Sequence, residues 1–344
     1  LNYPNLIALF EALGVETQPS DMSFAVSDPE GYEWASSARG FFAQKRNLLD
    51  LRFHRFWRAI LRFNDTARGE LKGGIMQGMT LGAWLDRHGF DQTFRENYVL
   101  PMAAAIWSTP EKGILDYPAQ SFFNFFDNHR LMHRERPKWR TVCGGSRTYV
   151  EAMARVLGDR VRTGTPVQAV SPFGDRVRVT SDAGSEVFDD VILACHSDQA
   201  LALLDPAYEQ QRWLLTSVRY RPNRIFLHRD PDLMPRRKAA WASWNVLKQE
   251  GDDICLTYWM NRLQGIPDQY PLFVTLNPLR TPDPDKTFAE FTFDHPQFDA
   301  AAEAAVRGLA RGQGDQGLWF AGAWMGHGFH EDGLKSGLSC ALSL

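Results

Sequence analysis

The residues of this sequence that could do chemistry are concentrated near its C-terminal end. Residues 317–337 read as a short buried strand at 318–321, a glycine-rich crossing, and the start of a helix near Asp332–Gly333. The first amide groups of a helix have no partner within the helix and carry the positive end of its dipole. The pattern therefore predicts a binding site for an anionic or electron-rich ligand.

A metal site is the competing interpretation of this stretch. His327, His330 and Glu331 are residue types that bind zinc. However, Gly326 and Gly328 interrupt any continuous ligand-bearing helix, and the residue order matches neither H-E-x-x-H nor H-x-x-E-H. We therefore expect no metal here.

A literal G-x-G-x-x-G occurs just before this stretch, at residues 312–317. A dinucleotide-binding fingerprint lies between a preceding strand and a following helix. Here the order is reversed, because a helical pattern at 300–310 precedes the glycines and the strand at 318–321 follows them. We interpret this motif as a surface turn.

Two further segments predict backbone groups that are available to a ligand. Gly144, Gly145 and Ser146 open a helical pattern whose first amides attract anions or caps. Val167 lies in a strand-rich region, and residues 190–195 form an apolar run that is typical of a parallel strand buried on both faces. An ordinary capped helix and a core strand are the alternatives.

Several elements must position these residues. Residues 1–20 read as a helix with its stop at Gly14, and residues 22–27 alternate like a strand. Residues 47–63 read as a strongly amphipathic helix. Its predicted apolar face comprises Leu49, Phe53, Phe56, Trp57 and Ile60, and its opposite face comprises Arg52, Arg55, Arg58 and Arg62.

Composition narrows the class of protein. The 344 residues are 44% hydrophobic, enough for two domains, and the net charge of -3 argues against general nucleic-acid binding. The four cysteines form no C-x-x-C pair, which predicts reduced thiols and a cytoplasmic protein. The 11 Trp and 23 Phe predict a large apolar ligand cavity. Because the sequence starts at Leu1 rather than Met, we expect a fragment.

The C-terminal stretch resembles the flavin-binding motif of the FAD-dependent amine oxidase and phytoene desaturase superfamily. One bacterial branch of predicted NAD/FAD-binding oxidoreductases, often associated with cyclopropane-fatty-acyl synthase-like enzymes, is similar over essentially the whole chain. The segments that carry this similarity are residues 3–6, 13–15, 21–24, 240–245, 257–264 and 328–333.

The resemblance implies an α/β fold of mixed α+β character. A Rossmann-like FAD-binding domain, lacking its first βαβ unit, would contain residues 136–206 and 300–344. An inserted substrate domain of mixed sheet plus helices would contain residues 1–135 and 207–299. The missing unit is expected upstream of Leu1, with the half of the site that holds the ADP phosphates.

The resemblance also implies cofactor-binding residues. Gly322 and Ala323 would approach the FAD pyrophosphate, while Trp324 and Phe329 would line the flavin ring. The amides of a helix start would face the flavin N1/C2=O edge; these belong to His330, Glu331, Asp332 and Gly333. Gly144, Gly145 and Ser146 would belong to the segment that returns the chain to the flavin domain. Val167 would lie in the strand that holds the adenine end of FAD.

A substrate cavity is implied over the flavin, although no catalytic residue stands out. Aromatic residues on alternating strands are also common in cores, but buried amides need partners. The residues proposed to line the cavity are Trp241, Trp244, Asn245, Tyr258, Asn261 and Gln264.

The implied activity is hydride transfer from an apolar substrate to flavin N5. The run at Phe122–Phe126, the arginine-rich helix and the basic segment at 134–140 favour a modified fatty acyl lipid, methyl-branched or with a cyclopropane ring, and peripheral contact with the inner membrane face. Two alternatives remain: a flavin-containing amine oxidase, and a non-catalytic flavoprotein partner of a lipid methyltransferase.

Overall fold

The structure is a computed structural model that describes residues 2–29, 31–107, 111–133, 135, 137–248 and 255–344. Its helices are α1 (Pro4–Leu13), α2 (Ala38–Phe41), α3 (Leu51–Leu71), α4 (Leu81–Arg87), α5 (Gln92–Phe94), α6 (Leu100–Trp107), α7 (Glu111–Leu115), α8 (Ala119–Asn128), α9 (Arg147–Leu157), α10 (Ser197–Leu203), α11 (Glu209–Leu215), α12 (Met260–Gln264), α13 (Ala300–Arg311) and α14 (His330–Ser343).

The strands are interspersed with these helices, singly and in groups, which confirms the mixed α/β class. They are β1 (Thr17–Pro19), β2 (Phe24–Ser27), β3 (Glu33–Ala35), β4 (Arg140–Val142), β5 (Val167–Phe173), β6 (Arg176–Ser181), β7 (Gly184–Phe188), β8 (Val191–Leu193), β9 (Tyr220–His228), β10 (Trp244–Leu247), β11 (Cys255–Trp259), β12 (Phe273–Leu276), β13 (Thr287–Pro296) and β14 (Leu318–Phe320).

The chain forms two compact units, each built from separated segments. The first unit contains Leu1–Glu16, Ser146–Arg221 and Pro296–Leu344, and the second contains Thr17–Gly145 and Pro222–His295. The predicted boundaries followed residues 135, 206 and 299, whereas the structure divides the chain after 145, 221 and 295 and also after residue 16. The cofactor and substrate roles of the units remain predictions.

The first unit contains a three-stranded antiparallel sheet, β5-β6-β7, and a parallel pair in which β14 lies beside β8. Its core includes Val170, Leu193, Leu215 and Phe320. The prediction of a parallel strand at 190–195 is confirmed, but its burial on both faces is wrong, because Ile192 is 39% exposed on the face of β8 opposite to its neighbours.

Two glycine predictions in the first unit hold. Gly14 ends α1 in the left-handed region, at φ 65°, and the chain then turns into β1, so the helix predicted over 1–20 is shorter than expected. The G-x-G-x-x-G is a turn between α13 and β14, and the Gln313 side chain within it pairs with both backbone groups of Phe320.

The second unit is built on a seven-stranded sheet with the order β13-β9-β12-β11-β10-β2-β3. β10 is parallel to β2, and its pairing with β11 is antiparallel. Because side chains paired in register point to the same side, each face of the sheet can be assigned. One face, called the apolar face here, comprises Phe24, Val26, Trp34, Ile225, Leu227, Trp244, Val246, Leu256, Tyr258, Val274 and Leu276.

The helices α2–α8 of the same unit have an aromatic core. The ring of Phe63 lies 5.6 Å from that of Trp84 and 5.4 Å from that of Phe123. Phe122 and Phe126 are almost fully buried beside them. The phenylalanine run at 122–126 is therefore core packing, and it gives no support to a lipid substrate.

Helix α3 begins after Asp50, whose carboxylate accepts from the Arg52 amide, and it extends beyond the predicted end at residue 63. Phe53, Phe56 and Ile60 are buried as predicted. Leu49 and Trp57 are not, since Leu49 precedes the helix and is 90% exposed and Trp57 is 42% exposed. Of the basic segment at 134–140, Arg134 and Arg136 lie outside the described residues.

None of the helices in the described ranges is both long enough and apolar enough to cross a membrane.

A buried hydrogen-bonded chain crosses the other face of the sheet. His228 is fully buried, and its Nδ1 accepts from the Asp230 amide 3.1 Å away. Nε2 therefore carries the proton and donates to Thr275 Oγ1 at 2.7 Å. The Thr275 hydroxyl lies 2.8 Å from that of Thr257. This chain requires neutral imidazole, and burial lowers the pKa of His228 to about 4.

We expect this histidine to make the fold sensitive to acid. The unfolded chain takes up a proton near pH 6.5, whereas folded His228 does so only near pH 4, so its contribution to stability is present above pH 6.5 and is lost as the pH falls to 4. The loss should reach about 3 kcal/mol. His228→Gln, which keeps a donor for Thr275, should flatten urea-unfolding stability against pH in that window; parallel curves for the two proteins would contradict the assignment.

Candidate functional site

The end of β14 makes an unusually close approach to α14 in the first unit. Gly322 adopts φ 152°, and a Cβ at this position would lie 2.6 Å from the Trp324 ring nitrogen. The Ser336 hydroxyl accepts from the Gly322 amide at 2.9 Å and lies 2.8 Å from the Gly333 carbonyl. Ser336 thus joins the strand end to the first turns of the helix.

The loop between them is wrapped around one carboxylate. Asp332 Oδ2 accepts from the amides of His327 and Phe329, each at 3.1 Å. Phe329 immediately precedes α14, so this is the side-chain-to-backbone half of a capping box. A Cβ on Gly326 would lie 2.6 Å from the Asp332 carboxyl group, so the loop can close only around glycine.

The neighbouring carboxylate holds the N-terminal helix. Glu331 Oε2 accepts from the Leu6 amide at 2.8 Å, and Oε1 accepts from the backbone and side-chain nitrogens of Asn5. Burial, followed by the charges of Asp332 and Glu331, raises the pKa of Tyr3 to about 12. The side chains of both acidic residues therefore serve the architecture of the site, and only their amides are available to a ligand.

The amides at the start of α14 are the donors that this architecture leaves open. Within the described residues, the amides of His330, Glu331 and Asp332 have no acceptor. The Gly333 amide was predicted to join them, but it donates to the Phe329 carbonyl at 3.1 Å in the ordinary helical pattern. The open set therefore consists of the first three amides of the helix.

A tyrosine from α9 meets the same helix start. The Tyr149 hydroxyl lies 3.2 Å from His330 Nδ1, and its ring packs 5.3 Å from that of Phe10. Desolvation lowers the pKa of His330, and burial raises that of Tyr149. Near pH 7 the histidine is therefore neutral, and a hydrogen bond joins its Nδ1 to the phenol.

The other predicted cofactor residues occupy varied positions. Trp324 lies in the core of the first unit, where its Nε1 donates to the Cys195 carbonyl at 3.0 Å. Ala323 and Phe329 are half-buried beside Gly322 and α14. In the segment that leads into α9, Gly144 and Ser146 are exposed and Gly145 is half-buried. Val167, the first residue of β5, is also exposed. Their contacts with a cofactor remain predictions.

The six predicted cavity residues of the second unit do not share one face. Trp244 and Tyr258 lie on the apolar face, and their rings meet edge-on at 5.0 Å. Trp241 packs against Trp259 and Phe273 on the other face. Gln264 is half-buried at the end of α12, and its carbonyl accepts from the Gln18 side chain.

The two predicted asparagines are occupied by the protein backbone. Asn245 donates to the carbonyls of Ala242 and Thr257 and accepts from the Ala242 amide. Asn261 holds the loop at 266–272 through four backbone groups. Because the donors of both side chains have acceptors, these residues stabilise the fold and present no free donor to a ligand.

A row of apolar residues crosses the sheet beside Trp244. Trp244 pairs with Phe24 and with Tyr258, and the register continues through Val274 to Leu227. We call these five residues the cross-strand row. Phe24 is buried and the other four are half-buried, whereas the next residues along the apolar face, such as Val246 and Leu256, are buried. The row is therefore the accessible edge of an apolar surface.

The cross-strand row has polar groups but carries no carboxylate. Trp244 Nε1 is buried without an acceptor in the described part of the chain, and an unpaired buried donor costs about 1–3 kcal/mol. Burial raises the pKa of Tyr258, so that its phenol remains protonated. The row thus offers hydrogen-bond donors within an apolar surface.

Comparison with known proteins identifies the family of this chain. A family model described as flavin containing amine oxidoreductase matches residues 2–224. The chain belongs to this family. Its members bind FAD, and the protein is an FAD-dependent oxidoreductase.

Solved structures share the fold at low sequence identity. Putrescine oxidase bound to putrescine is 15% identical, with a TM-score of 0.65 over 99% of this chain and 85% of its own. A CLA-producing fatty acid isomerase from P. acnes is 11% identical, with a TM-score of 0.66 over 99% and 85%. Cyclohexylamine oxidase from Brevibacterium oxydans IH-35A is 14% identical, with a TM-score of 0.65 over 98% and 84%.

The residues around α14 fit the flavin end of FAD. The three amides without an acceptor can donate hydrogen bonds to the electron-rich N1/C2=O edge of a flavin. A side chain at position 322 would fill the space beside the Trp324 ring that glycine leaves open. No G-x-G-x-x-G between a strand and a helix occurs in this sequence, so the residues present would hold the flavin ring, and none of them matches the fingerprint that holds the ADP phosphates.

Sequence reasoning missed Ser336, Tyr149, Leu227 and Val274. Ser336 acts through its hydroxyl from the middle of a helix, where no sequence pattern marks it. Leu227 and Val274 join Trp244 only through strand register, which depends on pairing between distant segments.

Proposed function

We propose that this oxidoreductase removes hydrogen from a modified fatty acyl lipid, with a methyl branch or a cyclopropane ring in the chain. When bound, FAD would supply the hydride acceptor at its N5, and the proton lost from the neighbouring substrate carbon would be released to solvent. The protein supplies an apolar surface along which an acyl chain can lie, and that surface excludes water and orients the chain.

The observation that carries this proposal is the unpaired donor in the cross-strand row. Trp244 Nε1 can donate a hydrogen bond but cannot accept one. An acyl lipid has ester carbonyl oxygens that accept such a bond, whereas an ammonium group has only donors. The absence of a carboxylate from the row also favours a neutral chain over a cationic amine.

Amine oxidation is the second candidate, favoured by the description of the family and by relatives named as amine oxidases. A relative named as a fatty acid isomerase supports the lipid substrate. The resemblance to the cyclopropane-synthase-associated branch further supports a lipid methyltransferase partner and peripheral membrane contact, both of which remain proposals.

Anaerobic titration of the full-length flavoprotein tests the proposal. Phospholipid with a cyclopropane or methyl-branched acyl chain, in detergent micelles, should bleach the visible absorption band of the flavin. Putrescine and other simple amines should not. Bleaching by amines alone would overturn the lipid proposal, and bleaching by neither substrate while a chemical reductant still reduces the flavin would support a non-catalytic partner.

Trp244→Phe provides a matched variant for the same titration. It keeps an apolar aromatic ring but removes the unpaired donor together with the rest of the indole's second ring, a loss that the control below shares. We expect the lipid concentration at half-maximal rate to rise roughly threefold to tenfold, with little change in the maximal rate. The stability gained by removing an unpaired buried donor should be roughly offset by the packing lost with the smaller ring, so the net stability should change little. Trp241→Phe is the control on the other face, where Nε1 already donates to the Pro235 carbonyl at 2.7 Å. Equal effects of the two variants on lipid affinity would contradict a role for Trp244.

A further inference from the structure

The start of α3 carries a surface that the flavin site does not use. Three leucines project there, with Leu48 52% exposed, Leu49 90% exposed and Leu51 73% exposed. Phe42 and Trp57 beside them are each more than 40% exposed. So many large apolar side chains at one place mark an interaction site in a folded protein.

These side chains surround the start of α3. The ring of Phe41 lies 5.2 Å from that of Phe42 and 4.9 Å from that of Trp57. Leu51 opens α3, and Arg55 and Arg58 follow it on the same exposed side at helical spacing. We call this surface the basic tip; it comprises Phe42, Lys45, Arg46, Leu48, Leu49, Leu51, Arg52, Arg55, Trp57 and Arg58.

The charge around the basic tip is strongly one-sided. Residues 39–62 contain seven Lys and Arg and a single carboxylate, Asp50, in a chain whose net charge is -3. Asp50 caps α3 and pairs with Arg52. Arg55 and Arg58 have no carboxylate partner in the described part of the chain, so their charge is available. Arg62 is excluded because it donates to the carbonyls of His88 and Gly89.

We propose that the basic tip docks on an anionic phospholipid bilayer. Lys and Arg attract anionic headgroups, while exposed Leu, Phe and Trp insert at the boundary between headgroups and acyl chains. A second copy of this chain fits poorly, because a two-fold contact would place the same cations opposite each other. The three projecting leucines also set this surface apart from one that binds nucleic acid, which is read mainly by polar and charged groups.

The inference deepens the proposed function, since an enzyme acting on acyl lipid must reach a bilayer, but vesicle binding can be measured without turnover. The full-length protein should sediment with phosphatidylcholine vesicles containing about one-third phosphatidylglycerol, and less so as salt increases. It should bind pure phosphatidylcholine vesicles weakly.

Paired variants separate the two contributions. Each cation near an anionic surface strengthens binding roughly fivefold, so Arg55→Gln with Arg58→Gln should weaken binding roughly 25-fold. Leu49→Ser with Leu51→Ser should weaken it at least about tenfold. Arg155→Gln and Val156→Ser, at exposed positions of α9 in the first unit, are the matched controls and should bind like the unmodified protein.

Three outcomes would overturn the proposal. These are equal binding to neutral and anionic vesicles, tip variants that bind like the controls, and a change of oligomeric state in the leucine variant, which would make the tip a subunit interface. Flavin reduction by lipid in detergent micelles should be unchanged in the tip variants. Loss of vesicle binding with intact reduction therefore separates this surface from the proposed activity.

Discussion

Replacing Gly322 with alanine is expected to unfold the flavin end of the site. The backbone at this position has φ 152°, and a Cβ would meet the Trp324 ring nitrogen at 2.6 Å. That ring cannot give way, because it is buried and its nitrogen donates to Cys195. Strain and overpacking together should destabilise the first unit by roughly 3–5 kcal/mol. FAD should bind at least about tenfold more weakly, because a smaller fraction of the protein would be in the conformation that binds FAD.

The measurements are urea unfolding and flavin retained on purification. Gly337→Ala is the control, because Gly337 lies within α14 and an added Cβ would point into open space. Alanine there should stabilise the helix by up to about 1 kcal/mol and leave flavin content unchanged. If both substitutions change the free energy of unfolding in the same direction, the strain at Gly322 does not shape the strand–helix junction.

The sequence predicted the elements of this site better than their contacts. The strand at 318–321, the glycine crossing and the helix that follows were all predicted, because small residues and a change of hydrophobic period mark such a junction locally. The roles of Glu331 and Asp332 were not, since their carboxylates point to Asn5, Leu6 and the loop at 326–329. The contacts of Glu331 span more than 300 residues and leave no local signal. Those of Asp332 stay within five residues but depend on how the glycine loop closes.

In the second unit, too, the sequence predicted the elements better than the contacts between them. Strands around Trp244 and Tyr258 were expected, but alternation within single strands could not show that Asn245 lies on the opposite face, bonded to Ala242 and Thr257. The exposed Leu49 is a second case. Its helical spacing with Phe53 predicts a core position, but α3 starts only at Leu51 and leaves it outside the helix. Register and helix starts are decided by tertiary pairing.

The two carboxylates at the start of α14 pose an electrostatic problem for flavin chemistry. Open amides favour negative charge on a bound ring, whereas Glu331 and Asp332 oppose it from the same turn. Removing the Asp332 charge should therefore stabilise the anionic reduced flavin. Asp332→Asn should raise the flavin reduction potential by roughly 20–40 mV, corresponding to about 1–2 kcal/mol. The potential is measured by redox titration against a reference dye.

Comparison with Asp332→Ala separates charge from architecture. The asparagine oxygen can still accept from the His327 and Phe329 amides, so stability should fall by only about 1 kcal/mol. Alanine removes the carboxylate that accepts from both amides, and stability should fall by roughly 2–4 kcal/mol with loss of bound flavin. Asp159→Asn removes an exposed charge from the same unit and should change neither the flavin reduction potential nor the stability. An unchanged potential in Asp332→Asn that still holds flavin would mean that the ring lies away from this helix start, because a charge in its first turn must otherwise act on it.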